Sequence, residues 1–169
     1  MLATASVARA DEEPAPPAES GEKPAKSAAK PSTVGGHVGI ATPYLSVSKK
    51  VNVIGKDDFL TIANPVGVTV RTGGRWAFDF EVIVSTSVLR REATGLIIDP
   101  GVIYNFGPFA AGLRAAYQIG ESSNFGAIPL INKGFNLGAV TWFVEAAFPT
   151  FVKSGEVTFN AVAHTGLAF

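Results

Sequence analysis

The stretch Val157-Thr-Phe-Asn-Ala-Val-Ala-His-Thr-Gly-Leu-Ala-Phe169 decides how the rest of the chain is read. Taken at every second residue, Phe169, Leu167, Thr165, Ala163, Ala161, Phe159 and Val157 form a series that is apolar but for one threonine. The alternate series, Ala168, Gly166, His164, Val162, Asn160 and Thr158, is small or polar. A period of two marks a β-strand with two unlike faces.

The same texture runs upstream to Gly35. Eight alternating segments are separated by turn signals, at about 37–48, 59–71, 75–86, 94–106, 109–120, 124–132, 136–148 and the closing stretch. The third is the clearest, with Trp76, Phe78, Phe80, Val82 and Val84 against Arg75, Ala77, Asp79, Glu81 and Ile83. The sixth is the weakest, being short and carrying Pro129 before an Asn132-Lys133-Gly134 turn signal. In the seventh, Phe143 breaks the pattern. Connections alternate too. Those at 49–58, 87–93, 120–123 and 149–156 are polar or charged, while those at 72–74, 107–108 and 133–135 are tight.

Composition narrows the class. Hydrophobic residues make up 47% of the chain and mean hydropathy is +0.26, yet no run of about 18 apolar residues could form a membrane-crossing helix. Lys and Arg total 14 against 14 Asp and Glu, and no basic patch suggests a nucleic-acid partner. Without cysteine there is no disulfide and no thiolate metal site. Two histidines, His37 and His164, are too few for a His-rich zinc centre. No metal or cofactor is expected.

Alternation alone fits a soluble sandwich and a membrane barrel equally. Two features select the membrane. The apolar series is aromatic near strand ends, at Trp76, Tyr104, Phe106, Phe109, Trp142 and Phe148, as at a membrane–water boundary. The polar series is diluted with glycine and alanine, where a solvated face would carry more charge. Eight strands joined by alternating short and long connections, and a last strand ending on an aromatic, resemble the small eight-stranded β-barrels of bacterial outer membranes. The resemblance is one of architecture over residues 35–169. It implies a closed, antiparallel, all-β transmembrane barrel, membrane lipid as a partner, and a Gram-negative outer membrane as location. It also implies that Phe159, Leu167 and Phe169 serve as a C-terminal signal to the barrel assembly machinery.

Charges on the strands share one parity. Arg71, Asp79, Glu81, Asp99, Arg114 and Glu145 are therefore expected to meet inside as a lumen network that plugs the barrel. Trp76, Tyr104, Phe106, Trp142 and Phe148 are expected to face lipid. Before the barrel, residues 1–10 read as the remnant of a signal peptide ending Ala8-Arg9-Ala10. Residues 11–34 read as a disordered Pro- and Ala-rich periplasmic linker. A lipid hydrolase would need a nucleophile beside His164, and no serine lies near it in sequence. The functional expectation is a structural, adhesive or surface-interaction protein that is not an enzyme. Its alternatives are a narrow pore for ions or small solutes and a soluble lipocalin-like barrel binding an apolar ligand.

Overall fold

The alternation is realised as strand pairing throughout the computed structural model, which describes residues 31–89, 92–120 and 123–169. The signal remnant and the linker up to residue 30 lie outside the described residues. Ten strands form one antiparallel sheet: β1 (Thr33–Val47), β2 (Val51–Val53), β3 (Thr61–Arg71), β4 (Trp76–Ser87), β5 (Glu92–Asn105), β6 (Ala110–Ile119), β7 (Asn124–Asn136), β8 (Thr141–Ala147), β9 (Thr150–Lys153) and β10 (Glu156–Ala168).

The sheet closes because β1 pairs with β10 from His37 opposite Ala168 to Val47 opposite Phe159. β8 and β9 both lie between β7 and β10, so together they make one broken stave. β2 pairs with β1 at Leu45, Ser46 and Val47, beyond the stretch of β1 that β3 pairs. The result is a closed barrel of eight staves, and among the described residues each stave of the ring is paired on both sides. At the stave's break the ladder continues through Phe148 N–H donating to Pro129 O at 2.9 Å and Asn160 N–H to Pro149 O at 2.8 Å.

The wall is apolar outside. Val66, Val68, Val70, Phe78, Phe80, Leu113, Val144 and Leu167 are exposed on the outer parity. The buried charged residues all sit on the other. A soluble barrel would place the apolar series inward. This one shows the distribution of a transmembrane barrel, in which the outer series meets hydrocarbon and the inner series fills the lumen. Thr165, the one polar member of the outer series in β10, is fully engaged. Its Oγ1 accepts from Trp142 Nε1 and donates to Phe143 O, each at 2.8 Å. A hydroxyl satisfied in this way is compatible with lipid.

Aromatic rings mark both ends of the wall. Near the tight turns, Trp76, Tyr104, Phe106 and Phe109 pack in series, and Phe135 stacks on Trp142. Near the longer loops, Phe148 stacks on Phe159. Phe169 pairs with Gly36 through two backbone bonds of 2.9 Å. Its ring lies over Gly36, where any Cβ would come within 2.7 Å of it.

Two expectations need correction. Asn132-Lys133-Gly134 is not a turn. β7 runs on to Asn136, and the turn falls after it. Alternation carries the strand through: Leu130 and Asn132 lie opposite the inward Ala147 and Glu145, and Lys133 lies opposite the outward Val144. Lys133 sits close to the strand end, where its long stem can carry the ammonium to the headgroups. The 149–156 segment is not simply a polar loop, because it contains β9 and a tight Ser154-Gly155 turn into β10. Its Phe151 is buried in the lumen.

Large inward side chains lie across from inward glycines. A Cβ on Gly67 would come within 2.3 Å of His37 Nε2, and one on Gly101 within 2.5 Å of Arg114 Cγ. At Gly101 the backbone O of Leu113 is also only 2.6 Å away, so the conflict cannot be relieved by a rotamer change. Gly101→Val is expected to abolish refolding in detergent, read by circular dichroism and protease resistance. Gly120→Ala, with nothing among the described residues within 4 Å of the added Cβ, is expected to change stability by no more than about 0.5 kcal/mol.

Candidate functional site

The lumen is built in layers, and the middle layer is charged. Its organiser is Arg114 of β6, which is 3% exposed. The guanidinium does not bond to its neighbouring strands. It crosses the lumen to β4 and β8. Nε donates to Asp79 Oδ2 at 2.9 Å, Nη2 to Glu81 Oε1 at 2.9 Å, and Nη1 to Glu145 Oε1 at 3.1 Å. The planar fork allows three carboxylates to be served by one cation, which an ammonium could not do in the same geometry.

The acids recruit further partners. Thr69 Oγ1 donates to Asp79 Oδ1 at 2.6 Å. His37 Nε2 lies 2.8 Å from Glu81 Oε1, and Thr69 Oγ1 lies 3.3 Å from His37 Nδ1. On the far side, His164 Nδ1 is 3.2 Å from Glu145 Oε1. Phe143 stands edge-on between the two imidazoles, with centroids 6.1 Å from His37 and 4.9 Å from His164. Its inward position makes it the filler of this layer, which accounts for its place in the polar series of β8.

Of the six charged residues read as a lumen network, Asp79, Glu81, Arg114 and Glu145 are bonded together. Asp99 lies directly opposite Glu81 in the ladder and is fully buried. Neither of its oxygens has a hydrogen-bond partner among the described residues. Arg71 is set apart. It ends β3 opposite Ala77, one inward position nearer the turns than the Thr69–Asp79 pair, and it is exposed. Inward parity is shared, but the level along the barrel axis is not. Thr69, His37 and His164 hold the places that charge counting alone overlooked. The available signal was their common parity with Asp79, Glu145 and the inward glycines.

The next layer toward the loops is apolar. Ala116, Ile128, Leu130, Ala147 and Phe151 are buried together, with Ile97 and Val162 packed against them. Several of these stand one inward position from a charged residue: Ala116 after Arg114, Ala147 after Glu145, Val162 before His164, and Ile97 before Asp99. Thus a charged layer and a hydrophobic layer are stacked along one lumen.

His37, Asp79 and Glu81 bring possible metal-ligand atoms within 4.8 Å of one another. The guanidinium of Arg114, 2.7 Å from Asp79 and 2.9 Å from Glu81, already supplies the cation there. A metal ion would have to sit against it. The His164–Glu145 pair resembles the base and orienting acid of a hydrolase. Its Nε2 has no partner among the described residues and faces Gly39, whose Cβ would lie 2.4 Å away. Glycine offers no nucleophile.

The outer belt residues Trp76, Phe106 and Trp142 are exposed, and Tyr104 and Phe148 are half-buried in ring contacts. Phe159, Leu167 and Phe169 lie on the outer surface of β10 and its end.

No protein-family model matches the chain. No curated protein matches it either. Among solved structures, the chain is similar to Ail, the attachment invasion locus protein of Yersinia pestis, crystallised with the heparin analogue sucrose octasulfate. The TM-score is 0.45 at 8% identity, covering 83% of this chain and 99% of that one. The likeness concerns the barrel, which the strand pairing establishes independently.

Removing Arg114 leaves three buried carboxylates without their shared cation. Arg114→Ala is expected to cost about 3–5 kcal/mol, and Thr69→Val, which removes one bond to a charged acceptor, about 1.5–3 kcal/mol. Urea unfolding in lipid vesicles measures both. An Arg114→Ala cost below that of Thr69→Val would show that the charged layer is not organised by the guanidinium.

Proposed function

We propose that this chain is a small integral protein of a bacterial outer membrane, closed as a conduit and acting through its loop end as a structural, adhesive or surface-interaction module. The observation that carries the reading is the pairing of an apolar outer wall with a lumen filled by two unlike layers. A water path along the axis would have to pass Arg114 and its carboxylates, then the Leu130, Ala147 and Phe151 cluster. At the level of these two layers eight staves leave little space beyond what inward side chains occupy.

The loop end gives the module its surface. β2 pairs with β1 beyond the stretch that β3 takes, and the β9–β10 turn stands at the same end of the barrel. Lys49 pairs with Glu156 across these two segments. Residues 49–58, 87–93, 120–123 and 149–156 are the proposed contact regions. Phe159, Leu167 and Phe169, together on the closing strand, are proposed as the assembly signal. No catalytic role is assigned to the His164–Glu145 pair.

Planar-bilayer recording tests the closed lumen. The native chain is expected to give no steady unitary conductance. Phe151→Gly combined with Leu130→Ala should open measurable current by removing the apolar layer. Steady conductance from the native chain would replace this reading with that of a narrow pore.

A further inference from the structure

On the turn side of the charged layer the lumen is not filled. A blind cavity of about 370 Å³ opens there. It exists because the inward residues at this level are small: Ala77, Ala110 and Ala168 line it. Its volume lies in the range of small-molecule sites.

The cavity's charge reverses along its depth. At the rim stand Arg71 and Arg75, and every carboxylate that lines the cavity belongs to the deeper charged layer. Arg71 ends β3, and Arg75 lies in the hairpin that follows. Asn105 and Asn136, at the ends of β5 and β7, also line the rim. Each uses its Oδ1 to accept a backbone N–H, from Gly107 and Gly138, at 2.7 Å. Their amide N–H groups are left as donors. The rim is therefore rich in donors and positive charge.

The floor is opposite in character. Asp79, Glu81 and Glu145 line it, and Asp99 stands behind Glu81. The one guanidinium of Arg114 is shared among Asp79, Glu81 and Glu145. Glu81 Oε2 and Glu145 Oε2 have no hydrogen-bond partner among the described residues. Buried acceptors without donors are costly, and a ligand that brings a donor relieves them.

From this axial reversal of charge we infer that the cavity binds a small zwitterion, with its anionic end at Arg71 and Arg75 and its cationic end toward Glu81 and Glu145. The spacing selects its length. Arg71 Nη1 lies 3.2 Å from where a Cβ on Gly35 would stand, and Gly35 pairs with Thr69 at the level of Asp79; Glu81 follows two residues on, about 7 Å along the strand. One amino acid spans at most about 3.5 Å, and two span about 7 Å. The site thus fits a dipeptide-like zwitterion better than a single α-amino acid. This inference is independent of which membrane holds the barrel and of what its loops contact.

The test uses the full chain folded in detergent micelles and isothermal titration with dialanine. Saturable binding at one site is expected. N-acetyl-dialanine, dialanine amide and free alanine should each bind more weakly, by about tenfold or more, the equivalent of one lost charge-assisted pair. Arg75→Ala, an exposed hairpin substitution that leaves the strands intact, should weaken dialanine to a similar degree with an unchanged circular dichroism spectrum. Absence of saturable dialanine binding would overturn the inference. So would equal binding of the blocked forms, or an Arg75→Ala variant that binds as well as the native chain.

Discussion

Everything inside this barrel depends on one guanidinium. Arg114 is bonded to three of the buried carboxylates, and it reaches them by spanning the lumen from β6 to β4 and β8. The ladder hydrogen bonds hold each stave to its two neighbours. The Arg114 fork ties staves that are not neighbours, and so fixes the cross-section of the ring as well as its circumference. A buried ion cluster is weak evidence for net stability, because desolvation offsets much of the attraction. Its more secure contribution is specificity. A slip of one residue in any contributing strand would turn a carboxylate or the guanidinium toward lipid, where an arginine costs about 2–4 kcal/mol at mid-depth.

The layers on either side follow from that placement. Toward the loops, Ile97, Ala116, Ala147 and Val162 each occupy the inward position next to a member of the charged layer, and Phe151 of β9 adds its ring from above. An apolar layer beside the ion cluster strengthens its interactions, since screening falls with local polarity. Toward the turns, alanines replace larger residues and the lumen opens into a pocket with a positive rim. The two ends of the lumen therefore differ, apolar toward the loops and open toward the turns.

Glycine has a structural part in this arrangement. His37 lies over Gly67 and the Arg114 stem over Gly101, with spaces too small for a Cβ. The glycines that dilute the polar series are the sockets that let large inward groups fit a narrow ring. In a solvated sheet face they would have no such purpose.

The sequence by itself determined which way each side chain faces. Facing depends only on parity, a local property of extended chain, and parity alone placed Asp79, Glu81, Asp99, Arg114 and Glu145 inward and Trp76, Phe78 and Phe80 outward. The number of staves followed from counting alternating segments. Tertiary structure alone decided height and partnership. Whether Arg71 meets Asp79 depends on how β3 is staggered against β4, and that stagger pairs Thr69 with Asp79 and leaves Arg71 at the rim. Whether Asn132-Lys133-Gly134 turns or continues depends on the length of strand that β8 offers for pairing. The choice of His37 for Glu81 and His164 for Glu145 depends on contacts 44 and 19 residues apart in sequence. Stagger is set by the closure of the whole ring, and no local stretch carries it.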